Sequence, residues 1–150
     1  MHQHNPMLRR DFIFRKISLI QDDLVKLGTF AHFTLNEIVS DFVKQAAVER
    51  LLERIITRAI DVNQHLIAEL PKKEISPPKD YRETFLILSE LNVYPKEFGE
   101  SVAKSVGTRN VLVHEYVNID QRLVYGSIGD CLKDYSTYVD FVLKFLDTQK

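Results

Sequence analysis

At 150 residues, 45% of them hydrophobic, the chain can bury a core of its own and is expected to form one domain over 1–150. Its formal net charge of -1 excludes overall basicity, so any nucleic-acid contact has to come from a local patch. A lone cysteine, Cys131, excludes an intramolecular disulfide. No apolar run nears the ~18–20 residues of a membrane span, and the amino terminus lacks the regions of a signal peptide, so a cytoplasmic protein is expected.

Periodicity then predicts helices almost throughout. From about Leu8 to Thr29, Phe12, Ile13, Ile17, Ile20, Leu24 and Leu27 recur at the three- and four-residue spacing of an amphipathic helix. Thr34 with Glu37 three residues on reads as a capping box. A long second helix is expected from there to about Leu70. Its apolar ridge is drawn through Leu35, Ile38, Phe42, Ala46, Leu52, Ile56, Ile60, Leu66 and Ile67, with no Gly or Pro to interrupt it. At ~1.5 Å per residue it would approach ~50 Å, so it should bend or lend part of its length to an interface.

Pro71 to Asp80 holds three prolines and three lysines and is the one clear loop. Tyr81 to Asn92 reads as a short helix with Phe85, Leu88 and Leu91 inward. Pro95 opens the next, which carries Phe98, Val102 and Val106 and should break or tighten near Gly107. Asp120 caps a last helix presenting Leu123, Val124, Ile128, Cys131, Leu132, Tyr135, Val139, Val142, Phe145 and Leu146. The expected fold is all-α, an antiparallel bundle of about five helices with one long second helix.

The run Arg109-Asn110-Val111-Leu112-Val113-His114-Glu115-Tyr116 sets a guanidinium, an imidazole and a phenol within eight residues. An arginine to hold phosphate and a histidine to move a proton suit the handling of a phosphodiester. On an ideal helix Arg109 and His114 lie ~140° apart, while Asn110 shares a face with His114 and Arg109 with Tyr116. Three arrangements would unite the pair: a distorted first turn at Gly107, a long arginine wrapping round, or a second subunit. Asn110 is placed to hydrogen-bond His114 and set its tautomer. No set of His, Cys and carboxylates has ligand spacing, so neither a metal nor another cofactor is expected.

This Arg-x4-His-x-Tyr pattern, with Asn110 beside the arginine, resembles the signature of HEPN-domain toxins, the helical ribonucleases of HEPN/MNT toxin–antitoxin modules. The resemblance implies a HEPN-like fold and a metal-independent ribonuclease with Arg109 and His114 catalytic. It favours tRNA as the RNA cut, and a homodimer whose motifs face a shared cleft, the third of those arrangements. It also implies a cognate minimal nucleotidyltransferase antitoxin, able to add AMP to Tyr116. An anionic nucleotide there would occupy the phosphate site beside Arg109.

The Glu49–Leu66 segment is similar to the second helix of the same family, where an acid and a histidine recur. Here they are Asp61 and His65, four apart and so on one face. Asp61 would orient His114 or Arg109 across the bundle, or the two form a helix-internal pair without a catalytic part. Arg50, Arg54 and Arg58, spaced by four, and the loop residues Lys72 and Lys73 with Lys79 are candidates to track an RNA backbone. So is the group Arg9, Arg10, Arg15 and Lys16. A solvated charged face fits the same residues, since Glu49 and Glu53 interleave with the arginines. Two other classes stay open: a non-nucleolytic nucleotide- or substrate-binding partner of a nucleotidyltransferase, and a helical adaptor whose motif is structural.

Overall fold

The computed structural model describes residues 9–70, 74–114 and 118–149, and seven helices occupy them. They are α1 (Arg10–Gly28), α2 (Leu35–Val39), α3 (Phe42–Glu69), α4 (Tyr81–Glu90), α5 (Lys96–Ala103), α6 (Ser105–His114) and α7 (Gln121–Thr148). The all-α bundle stands as expected. Its count exceeds five because two of the anticipated helices are each divided.

The first division separates α2 from α3. Thr34 and Glu37 form the capping box, but the helix ends at Ser40, whose Oγ donates to the Asn36 carbonyl at 2.6 Å. Asp41 then caps α3, its Oδ1 accepting from the backbone N–H groups of Val43 and Lys44. Ser and Asp side chains compete for backbone groups that a continuous helix would use, so this pair stops one helix and starts the next without Gly or Pro. Phe42 (81% exposed) and Ala46, in the first turns of α3, lie outside the core, and Val48, Leu51, Leu52, Ile55, Ile56, Ala59, Ile60, Val62 and Leu66 form it.

Cross-contacts fix the helix directions. Along α1 and α3, Arg9 meets His65, Lys16 meets Asp61 and Asp23 meets Arg54 and Arg58, so these two run antiparallel. Between α3 and α7, Gln121 meets Glu49 and Tyr138 meets Asn63, so these two run parallel. The segment α4–α6 carries the chain back between them. One apolar cluster joins these layers, with Tyr135, Tyr138 and Phe85 its largest fully buried side chains. Among the described residues, no helix is long and apolar enough to cross a membrane.

Candidate functional site

The second division lies between α5 and α6. Lys104 donates to the Ser101 carbonyl and Gly107 to the Lys104 carbonyl, both three residues back, which tightens the turn. The break expected at Gly107 thus falls earlier, and Arg109 stands in the second turn of a regular helix. A distorted first turn does not aim it. With α6 unbroken to His114, the arginine and the histidine diverge by about 140°. Arg109 is half-buried and turns inward; Asn110 and His114 are exposed. No hydrogen bond joins Asn110 to His114, and Asn110 lines a cleft against α4. Tyr116, Lys72 and Lys73 lie outside the described residues.

Two neutral groups hold Arg109. Its Nε donates to Thr57 Oγ1 of α3 at 2.8 Å, and its guanidinium carbon lies 5.0 Å from the centre of the Tyr81 ring at the head of α4. Such cation–π contacts contribute roughly 0.5–2 kcal/mol without neutralising the charge. No carboxylate pairs with Arg109 among the described residues.

Tyr81 is positioned from the core outward. Tyr138 donates to Asn63 Oδ1 at 2.6 Å, Asn63 Nδ2 donates to Thr84 Oγ1 at 3.1 Å, and Thr84 Oγ1 donates to the Tyr81 carbonyl at 2.6 Å. Asn63 and Thr84 are buried and their polar groups are matched, as burial demands. The α4 entry is locked as well. Asp80 accepts from the Glu83 N–H at 2.9 Å, and Glu83 Oε1 accepts from the Lys79 N–H at 2.8 Å. Sequence reasoning missed Thr57, Tyr81 and this chain of bonds, and only the capping pair Asp80/Glu83 left a local signal.

Asp61 does not reach the motif. It pairs with Lys16 Nζ of α1 at 3.0 Å, while His65 accepts from the Arg9 N–H and rests against the Phe12 ring at 5.0 Å. Both therefore serve the α1–α3 seam rather than Arg109 or His114. The arginine stripe is likewise drawn off. Arg58 Nη1 lies 2.8 Å from Asp23 Oδ2 and Arg54 Nη2 3.2 Å from Oδ1, with Asp23 only 1% exposed. Arg54 Nε also lies 3.1 Å from Oδ2, but poorly aligned, an ion contact rather than a hydrogen bond. Arg50 pairs with Glu53 at 3.0 Å. Of the stripe, only Arg50 faces open solvent.

Burial pushes the Cys131 thiol far up, with Asp134 and Asp130 adding to it, so it is no nucleophile. Among the described residues, no three His, Cys, Asp or Glu side chains converge as a metal site.

The family model for HepT-like ribonucleases matches residues 20–142. The chain belongs to the HepT-like ribonuclease family. Among relatives of this HepT-like chain, the tRNA nuclease HepT of Aphanizomenon flos-aquae is 34% identical over 135 residues, covering 89% of this chain and 88% of the relative. The mRNA nuclease HepT of Shewanella oneidensis is 24% identical over 132 residues, 88% of this chain and 96% of that one. Among solved structures, the tri-AMPylated HEPN toxin of S. oneidensis in complex with MNT antitoxin superposes with a TM-score of 0.76. It is 23% identical and covers 89% of this chain and 98% of that one. Bacillus subtilis YutE, a cytosolic protein, reaches 0.82 at 17% identity, covering 95% and 94%. These structural likenesses establish the HEPN-type fold.

Proposed function

We propose that this HepT-like protein is the ribonuclease toxin of a two-component module, cutting RNA without a metal. The observation that carries the reading is Arg109, a half-buried cation held in place by a hydroxyl and an aromatic face and by no carboxylate among the described residues. Its charge is thereby kept for a phosphate. In the reaction, the ribose 2′-hydroxyl attacks the adjacent phosphorus and gives up its proton to a base. The P–O5′ bond breaks, and an acid protonates the departing oxygen. A 2′,3′-cyclic phosphate and a 5′-hydroxyl result. His114 supplies one proton transfer and Arg109 stabilises charge on the phosphorane oxygens.

The divergence of Arg109 and His114 on α6 supports a homodimer in which the histidine of one subunit serves the phosphate held by the arginine of the other. A second histidine in the same cleft would supply the second proton transfer. The 34% identical tRNA nuclease supports tRNA as the substrate class. The solved toxin in complex with MNT antitoxin supports a nucleotidyltransferase antitoxin as partner, and its AMPylated state supports Tyr116 as the residue modified here.

The test is cleavage of purified tRNA in excess EDTA by the chain made without antitoxin, beside His114→Ala, with mass spectrometry confirming an unmodified Tyr116. Cleavage lost in the variant supports the reading. Folded, unmodified protein that cuts neither tRNA nor total RNA would sink it and leave a non-nucleolytic nucleotide-binding partner in its place.

A further inference from the structure

Beside Arg109 lies a cleft of about 500 Å³ that the catalytic scheme does not use. Such a volume falls within the ~300–1,000 Å³ typical of small-ligand sites. Val106 and Gly107 of α6 form one side, Lys79, Tyr81 and Arg82 at the head of α4 the other, and Asn110 completes the lining. Gly107 lines the cleft, and a Cβ added there would meet nothing within 4 Å, so a side chain can be placed at this wall without a clash at its first carbon. Tyr81 is 41% exposed, and one face of its ring already carries Arg109.

The cleft also carries two cations without a counter-charge, unlike the basic stripe on α3. Arg54 and Arg58 are taken up by Asp23, Lys16 by Asp61 and Lys44 by Asp41. Lys79 and Arg82 enter no ion pair among the described residues. The one carboxylate in the lining, Asp80, is turned back to cap α4. An apolar slot between uncancelled cations, with a carboxamide that both donates and accepts, suits an unstacked nucleobase with phosphates on either side.

We propose that this cleft is a nucleotide subsite of the nuclease, taking the base next to the scissile phosphate of single-stranded RNA. This rests on the ribonuclease reading above. With that phosphate at Arg109, the base enters between Tyr81 and Gly107, Asn110 reads its edge, and Lys79 and Arg82 hold the flanking phosphate. The exposed Tyr81 ring then has two partners, Arg109 and the base. The subsite gives the enzyme a preference for the nucleotide beside the cut, which Arg109 and His114 alone do not confer.

The probe is a 2′-O-methyl oligoribonucleotide carrying 4-thiouridine at every uridine, which the proposed reaction cannot cleave. It is irradiated with the whole protein, and the adducts are located by mass spectrometry. Gly107→Leu, which fills the cleft from a position where its Cβ clashes with nothing, serves as the variant. The adduct is expected within 79–82 or 106–110 and absent from the variant. KM for RNA should rise about tenfold in that variant, the worth of one stacked base, with kcat held. Should Gly107→Leu melt early, Lys79→Ala/Arg82→Ala replaces it, with weaker oligonucleotide binding and a shallower salt dependence expected.

A wild type that cleaves RNA but crosslinks elsewhere, or a folded Gly107→Leu with unchanged KM, overturns the subsite and leaves the nuclease reading intact. A wild type that crosslinks in the cleft but never cleaves sinks the nuclease reading and leaves an RNA-binding groove. Loss of antitoxin binding in Gly107→Leu, with RNA binding intact, would assign the cleft to a protein partner and overturn the proposal.

Discussion

Arginines are used in two ways around α3, and the groups opposite them tell the two apart. On the α1 side, Arg54 and Arg58 close on the buried carboxylate of Asp23. On the α4–α6 side, Arg109 meets a threonine hydroxyl and a tyrosine face. A carboxylate cancels the charge it orients and draws it into the fold. A hydroxyl and a ring orient a guanidinium while leaving its charge available. On the proposed reading, the cation bound for a ligand is the one whose neighbours are neutral, not the one on the longest basic stripe.

The largest expected effect tests the neutral side. Arg109→Ala should lower kcat/KM for RNA by at least ~100-fold, the scale of losing a group that stabilises charge only in the transition state. The melting temperature should fall by only several degrees, because the fold loses one hydrogen bond and one ring contact while the core stays intact. Arg109→Lys should restore little, since an ammonium cannot engage Thr57, Tyr81 and a phosphate together. An unfolded Arg109→Ala would erase the distinction between the two seams.

The opposite seam should fail in the opposite way. Asp23→Ala leaves Arg54 and Arg58 crowded together without their counter-charge. Equilibrium urea unfolding should show a loss of about 3 kcal/mol, the scale for breaking a buried ion pair from one side. RNA cleavage per folded molecule should persist. Cleavage that fell a hundredfold in folded Asp23→Ala would mean that the α1 seam also belongs to the site.

A smaller change sharpens the neutral side. Thr57→Val keeps the shape and removes the acceptor for Arg109 Nε. It should cost roughly 10- to 100-fold in kcat/KM, in keeping with the ~1.5–3 kcal/mol of a hydrogen bond to a charged group. Steady-state kinetics at fixed salt would read this. No change in rate would show that the Tyr81 ring alone suffices to hold the arginine.

Much of this was legible before any coordinates. Three- and four-residue apolar spacing marks the helical regions, because packing against a common core imposes that period on them, but it does not mark the breaks between α2 and α3 or between α5 and α6. The caps at Thr34 and Asp120 are local chemistry and could be read directly. The same chemistry at Ser40–Asp41 is equally local, but the absence of Gly and Pro masks it, and the apolar ridge is then drawn through Phe42, which stands exposed at the start of α3. The motif at Arg109 and His114 was visible as a run of residue types. Its supports were not: Thr57 and Tyr81 lie on other helices, and no spacing rule connects them to Arg109. Arg54 and Arg58 looked like free cations for the same reason, since their counter-ion sits on α1, 31 and 35 residues away.

The α5–α7 seam offers the gentlest test of how neighbours set the fate of a charge. Asp134 is a half-buried carboxylate whose hydrogen bond comes from the Ser101 hydroxyl at 3.3 Å. Burial raises its pKa, Asp130 adds to that, and Ser101, Lys133 and Lys104 only partly oppose it. The folded state therefore holds this proton more tightly than the unfolded chain does. Its contribution to stability is largest when Asp134 is protonated, and falls as pH rises from the ordinary carboxylate range through the raised value. Asp134→Asn keeps an acceptor for Ser101 and removes the charge. The melting temperature of the variant should exceed the wild type's slightly at pH 7, and the two should converge as the pH is lowered through that window. Taking the difference between the two proteins cancels the acid effects of Asp11, Glu37 and Asp41, whose lowered pKa values act in the opposite direction. A gap that stayed constant across the window would show that packing, not the buried charge, sets the stability of this seam.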